Sequence, residues 1–336
     1  MKYPVPGLFI SALCLFASFA APAATQQFPL TIEHKFGTTI IEAKPKRVAT
    51  VDYAGADDLL ALGVQPVVFR YWYGDYPRAL WPWAGALLEE TPPILRGDID
   101  FEQVAAVDPD VIIALWSGIT EDDYQKLSLI APVVAVPEGE GDFNLPWDRR
   151  ALLTGRALGL EEPARQQVAA INERLADIAA GRPEWTGKTV AIAHAWRSAA
   201  EPGAYTSNDV RMQILEQMGF LTAPAVDALM TSGDEFSVAL SPEDLSPIDA
   251  DLLIWLTTGP WDNVINMAAH PFLAATREAR DVYVGAEITG AFSHSSLLSL
   301  PYAIDTLASM IEVALDGDPT THADDRPVEL ARASAQ

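Results

Sequence analysis

Two stretches decide the fold, and they are variants of one phrase. The first is Phe101-Glu102-Gln103-Val104-Ala105-Ala106-Val107-Asp108-Pro109-Asp110-Val111-Ile112-Ile113. The second is Ser241-Pro242-Glu243-Asp244-Leu245-Ser246-Pro247-Ile248-Asp249-Ala250-Asp251-Leu252-Leu253-Ile254. Each predicts a Glu at the head of a short helix and an Asp just before a strand that is apolar without alternation. Such strands, separated by helices, indicate a parallel sheet covered on both faces. One occurrence in each half predicts two α/β lobes on a common plan. The helix dipole favours a Glu near a helix N-terminus, so capping accounts for either Glu alone. Their recurrence in equivalent places points to a shared role.

Outward from the first phrase, Phe28 to Glu42 alternates around Gly37 and predicts a β-hairpin. Pro45 to Asp52 predicts a buried strand, Ala54 to Leu62 a helix stopped at Gly63, and Val64 to Phe69 a strand. Around the second phrase, strands are expected at Thr189–Ala193, Asp251–Leu256 and Asp281–Val284. Helices are expected at Asp209–Met218 and Leu297–Leu315. Between the halves, Asp148 to Ala180 has helical period and is interrupted at Gly159-Leu160-Glu161-Glu162-Pro163. The expected organisation is a signal peptide (1–24), an N-terminal α/β lobe (25–147), an interlobe helix (148–181), a C-terminal α/β lobe (182–317) and a frayed polar tail (318–336).

The leader reading rests on Lys2 followed by the apolar run Leu8 to Ala21, with small residues offering cleavage near Ala23/Ala24. That run is about 14 residues, shorter than the roughly 20 a membrane span requires. Cys14 is the sole cysteine. It stands mid-run behind Leu13, where a lipoprotein signal would want a small residue at the end of the run. The mature chain then has neither disulfides nor thiol chemistry. The 336 residues carry a formal charge of −24. This sign argues against nucleic acid and anionic lipid surfaces as partners.

Pro45-Lys46-Arg47-Val48, Leu59-Leu60-Ala61-Leu62-Gly63-Val64, Asp108-Pro109-Asp110-Val111-Ile112-Ile113 and Ile130-Ala131-Pro132-Val133-Val134 occur in order. Together with the helical spine, they resemble the periplasmic substrate-binding proteins of iron-siderophore and vitamin B12 ABC importers. The resemblance runs from about Phe28 to Leu315. It implies two Rossmann-like lobes with parallel sheets joined by one long helix, and a ligand in the cleft between them. It further implies delivery to an inner-membrane permease, docked through one surface Glu per lobe, here Glu102 and Glu243. Arg96 aligns with an Arg that many siderophore binders turn toward iron-ligating oxygens; otherwise it makes a surface or interlobe ion pair. Phe236, Phe292 and His294 fall where relatives often have cleft residues.

In open α/β sheets, ligands bind beyond the carboxyl ends of the strands. Applied here, that rule selects Asp52 and Tyr53, Arg70 and Tyr71, Trp116 and Ser117, His194 to Arg197 (with Trp196), and Thr257 to Trp261. Tyr71 to Trp83 holds six aromatics in thirteen residues, Trp72 among them. Such a loop either covers the N-lobe core or walls a large, partly apolar ligand. The five histidines show no i, i+3 or i, i+4 pairing, so a direct metal site is not expected and iron would arrive inside its chelator. Gly181 to Thr189 has the wrong spacing for a phosphate-binding loop and leads into a strand.

The expectation is therefore a monomeric periplasmic protein with no intrinsic cofactor that captures a ferric siderophore. A hydroxamate-like chelate is favoured because the acidic field disfavours anionic ones. Haem or a corrinoid is the alternative ligand. An exported enzyme is the alternative class, but the chain has no Gly-x-Ser-x-Gly, no His-Glu-x-x-His and no mature cysteine.

Overall fold

The computed structural model describes residues 27–258 and 260–324. The expected leader, with Cys14 and the cleavage site, and residues 325–336 of the tail lie outside the described residues. The chain opens with an antiparallel hairpin of β1 (Leu30–His34) and β2 (Gly37–Ile41), and Gly37 takes a φ of 122° at the turn. The N-terminal lobe follows with β3 (Val48–Thr50), β4 (Pro66–Tyr71), β5 (Ile94–Arg96), β6 (Val111–Ala114) and β7 (Val133–Ala135). These pair in parallel in the order β5-β4-β3-β6-β7. The unalternating apolar strands of the sequence are buried throughout β3, β6 and β7 because helices cover both faces.

The C-terminal lobe contributes β8 (Thr189–His194), β9 (Gly203–Tyr205), β10 (Leu221–Thr222), β11 (Ser237–Ala239), β12 (Leu252–Leu256), β13 (Asp281–Val284) and β14 (Ala323–Asp324). Their order is β11-β9-β8-β12-β13-β14, with β10 beside the start of β8. This sheet is mixed rather than wholly parallel, because β9 runs antiparallel to both β8 and β11. β14 also departs from the expected frayed tail. Ala323 is 4% exposed and pairs with Val282, so the chain returns to form an edge strand.

The two phrases occupy equivalent places. The Asp110 carboxylate accepts the backbone N–H groups of Lys46 and Arg47 ahead of β3, and Asp251 accepts the N–H of Thr189 at the head of β8. Val104 and Leu245, seven residues before the first residue of β6 and β12 respectively, are both buried. The helix prediction holds only for the first phrase. Glu102 lies in the first turn of helix Phe101–Ala106, which is N-capped by Asp100. Glu243 instead sits in a tight turn before a short 3-10 turn at Ser246–Ile248. Pro247 has no N–H to donate to the Glu243 carbonyl and disfavours helical geometry at Ser246.

The connection between lobes is two helices, Trp147–Ala157 and Glu161–Gly181, rather than the one long helix implied by the resemblance. Gly159 turns the chain with a φ of 66°, a conformation that favours glycine. Pro163 is tolerated in the first turn of the second helix, where its missing N–H has no intrahelical acceptor. A Cβ on Gly155 would come within 2.4 Å of the Ala164 Cβ, so the glycine lets the two helices pack closely.

Candidate functional site

Each sheet has a switch point where connections depart in opposite directions, at β3/β6 in one lobe and β8/β12 in the other. Residues just beyond the ends of β4 in the N-terminal lobe and of β8 and β12 in the C-terminal lobe face one another across the cleft. A cavity of about 300 Å³ opens there, lined by Trp72 and Tyr73 from the N-terminal lobe and by Trp196, Tyr205, Arg211, Thr258 and Ser293 from the C-terminal lobe.

Among the described residues, the sole charge lining this cavity is Arg211, 5% exposed in the first turn of helix Val210–Gln217. A cation there opposes the helix dipole, and Asp209 compensates. Asp209 accepts from Arg211 Nε at 2.7 Å and from Nη2 at 2.6 Å, and it also accepts the Arg211 backbone N–H. The guanidinium lies 3.7 Å from the Tyr205 ring centroid and donates to Ser293 Oγ at 3.2 Å. Despite burial, the charge of the Asp209 carboxylate, the nearby Tyr205 and the hydrogen bonds to Asp209 hold the Arg211 pKa above its ordinary value. Burial likewise raises that of the Tyr73 phenol. The cavity thus presents a permanent cation already matched by an anion, within aromatic walls.

Of the residues expected from sequence, Trp72 and Trp196 line the cavity. Trp196 stacks on His194, whose pKa burial pushes down to about 4. Tyr53 is half-buried behind Trp72 at 5.7 Å, and the Arg70 guanidinium sits 4.1 Å from its ring. Trp116 is 4% exposed and supports Trp72 at 5.1 Å. Phe236 meets Phe143 across the lobes at 5.7 Å. Arg96 is exposed and lies over Tyr71, so both stay outside the cavity lining, as does exposed Arg197.

Phe292 departs from the cleft expectation. It is 1% exposed within the C-lobe core, because the next residue of helix Ala286–His294, Ser293, is the one that turns to the cavity. His294 is the hub of a box formed by Trp72, Tyr73, Trp81 and Trp83, at 5.3 to 5.8 Å. Burial pushes its pKa down to about 4 and keeps the ring neutral, and its Nδ1 bonds the Gly290 carbonyl.

The aromatic loop divides its labour. Trp72 and Tyr73 wall the cavity. Trp81 packs across the lobes, so close that a Cβ on Gly290 would come within 2.4 Å of its ring. Trp83 stacks on Trp81 and reaches Tyr302 of the last long helix. Tyr73 and Thr258 fall within the aromatic loop and the strand-end range selected from sequence, whereas Tyr205, Arg211 and Ser293 were not singled out. An Arg in the first turn of a helix was the one legible signal. Glu102 and Glu243 are both exposed, and Glu243 accepts from Ser241 Oγ at 2.8 Å. Among the described residues, no group of three or more His, Cys, Asp or Glu side chains could hold a metal ion, and no helix is long and apolar enough to cross a membrane.

Comparison with known proteins places this architecture. The family model described as periplasmic binding protein matches residues 48–280. The probable siderophore-binding lipoprotein YfiY of Bacillus subtilis (strain 168) is 27% identical over 236 residues, 68% of each chain. The periplasmic solute binding protein from Mycobacterium smegmatis superposes with a TM-score of 0.74 and 31% identity, over 85% of this chain and 98% of its own. PiaA of Streptococcus pneumoniae TIGR4, solved in complex with ferrichrome, gives 0.72 and 26%, over 86% and 99%. The family model covers more than half of the chain, and this chain belongs to the periplasmic binding protein family, whose members bind ligands rather than transform them.

Proposed function

We propose that this chain is the periplasmic binding component of an ABC importer and captures a ferric siderophore, with a neutral hydroxamate-type chelate favoured. The observation that carries this reading is the cavity bearing Arg211, held by Asp209 and walled by Trp72, Tyr73, Trp196 and Tyr205. The guanidinium donates to the iron-ligating oxygens, which carry partial negative charge, and the aromatic walls cover the apolar shell of the chelator. Because Asp209 already matches Arg211, the cavity has no surplus cation for a multiply charged catecholate or citrate complex. The formal charge of −24 adds a repulsive field at long range. At about 300 Å³ the cavity is at the small end of ligand pockets, roughly 300–1,000 Å³. A large chelate therefore projects toward the cleft mouth. The related YfiY and ferrichrome-bound PiaA support the same ligand class.

Titration of Trp fluorescence with ferric hydroxamates, catecholates and citrate tests the reading. Quenching should be tightest for a neutral hydroxamate complex, by about tenfold or more over ferric citrate, a difference of about 1.4 kcal/mol. Binding of haem or a corrinoid, with no response to any ferric chelate, would replace the siderophore reading.

The protein acts as a monomer with no intrinsic cofactor, and Glu102 and Glu243 orient it on a basic permease rim. Exposed carboxylates affect association more than the affinity of a distant site. Exchanging both for Arg should therefore reduce chelate uptake by cells at least about tenfold, while the affinity of the isolated protein changes less than about twofold. Full uptake by the double variant would reject these docking residues.

A further inference from the structure

Behind the cleft lies a second polar assembly that the ligand reading does not use. Asp57 and Asp58 on helix Gly55–Ala61, Asp52 after β3, and Arg150 on helix Trp147–Ala157 are each at most 3% exposed. The Asp57 Oδ2 accepts from Trp83 Nε1 at 2.7 Å and, across the lobes, from Ser296 Oγ at 2.8 Å. The Asp58 Oδ1 accepts the Leu297 N–H, also across the lobes, and its Oδ2 accepts from Arg150 Nε at 3.1 Å. Arg150 Nη2 donates to the carbonyls of His294 and Ser295, and Asp52 accepts the Trp116 N–H at 2.7 Å. Helices Gly55–Ala61 and Trp147–Ala157 are therefore tied to residues 294–297 of the C-terminal lobe through one buried cluster.

The charges do not balance. Three carboxylates face one guanidinium, and His294, the other titratable group packed against the cluster, is held neutral by burial. Full ionisation would leave two uncompensated negative charges where water does not solvate them, a costly state that protonation relieves. We infer that Asp52, Asp57, Asp58 and Arg150 form a proton-linked latch between the lobes, tightest when Asp57 carries a proton and loosened when it ionises beside Asp58.

Burial pushes Asp57 up to about 7 and Asp52 to about 6, against hydrogen bonds that favour their charged forms. The sign follows from the raised values. When the lobes separate, Asp57 returns toward its ordinary 3.8. The latch is then fully present below about 4 and is lost as pH rises through about 7.

The test needs no ligand and so stands apart from the siderophore reading. Thermal unfolding of the whole protein between about pH 5 and pH 8 is compared for wild type and Asp57→Asn, which keeps an acceptor for Trp83 and Ser296 but cannot ionise. Wild-type Tm should fall relative to that of Asp57→Asn as pH rises, and the fall should level off above about 7. Over the same range, exchange of the Leu297 amide should accelerate in wild type by up to about 100-fold beyond its intrinsic pH dependence, the factor for the roughly two pH units between 5 and the Asp57 value of about 7. It should follow the intrinsic rate in Asp57→Asn. Ser296→Ala removes one donor to the ionised form and should move the pH at which the fall levels off upward, an independent check if Asp57→Asn folds poorly. Parallel Tm profiles, or a titration without any extra exchange at Leu297, would overturn the latch.

Discussion

Arg211→Ala should abolish chelate binding, lowering affinity at least about 100-fold, a loss of about 2.7 kcal/mol. It should also cost about 3–5 kcal/mol of folding stability, the usual consequence of removing one partner of a buried ion pair. Both effects have one origin. Asp209 is buried, and without the guanidinium its carboxylate keeps the backbone N–H of residue 211 but loses both side-chain donors. The two effects separate in the double variant Asp209→Asn/Arg211→Met. Replacing a buried pair with uncharged groups of similar volume is often near neutral for stability, so stability should recover while binding stays lost. Denaturant unfolding and fluorescence titration of the three proteins check this. If Arg211→Ala retained chelate affinity, the cation would be a scaffold element and not a ligand contact.

Trp81→Ala should cost about 3–5 kcal/mol, the range for emptying a buried aromatic site. Trp81 is 4% exposed and wedged between Gly74 of its own loop and Gly290 of the other lobe. The reverse insult, Gly290→Ala, places a methyl group 2.4 Å from the Trp81 ring and should cost about 1–3 kcal/mol by overpacking. Because both changes act on one contact, they should not add. The methyl group introduced by Gly290→Ala fits the space left by Trp81→Ala, so the double variant should be more stable than the sum of the singles implies, by about 1 kcal/mol or more. Denaturant melts of the four proteins give the coupling directly. Additive losses would show that Trp81 does not carry the interlobe contact. Each single variant should also weaken chelate binding, since Trp72 and Tyr73 of the same loop form the cavity wall.

Much of the fold was legible because its signals are local. Apolar strands without alternation, glycine stops after helices and the repeated Asp before each buried strand follow from backbone geometry and burial of the strands on both faces. The same locality explains the errors. Glu243 was read as heading a helix by analogy with Glu102, but the effect of Pro247 on the preceding turn outweighs the shared pattern. Phe292 and Ser293 are one residue apart, and only the helix's rotation against the core decides which faces the cleft.

By itself the sequence determined two α/β lobes, a helical connection with a break at Gly159, and a set of strand ends where a ligand could bind. Those are properties of segments a few residues long. Only the tertiary structure decided that Arg211 and Tyr205 join Trp72 and Tyr73 in one cavity, that Trp81 crosses the lobes, and that Asp57 and Asp58 meet Ser296 and Leu297. These partners are separated by more than a hundred residues and carry no periodic signature. Their proximity comes from how two sheets and a pair of helices pack, and burial then gives the few polar groups caught between them their altered charge behaviour.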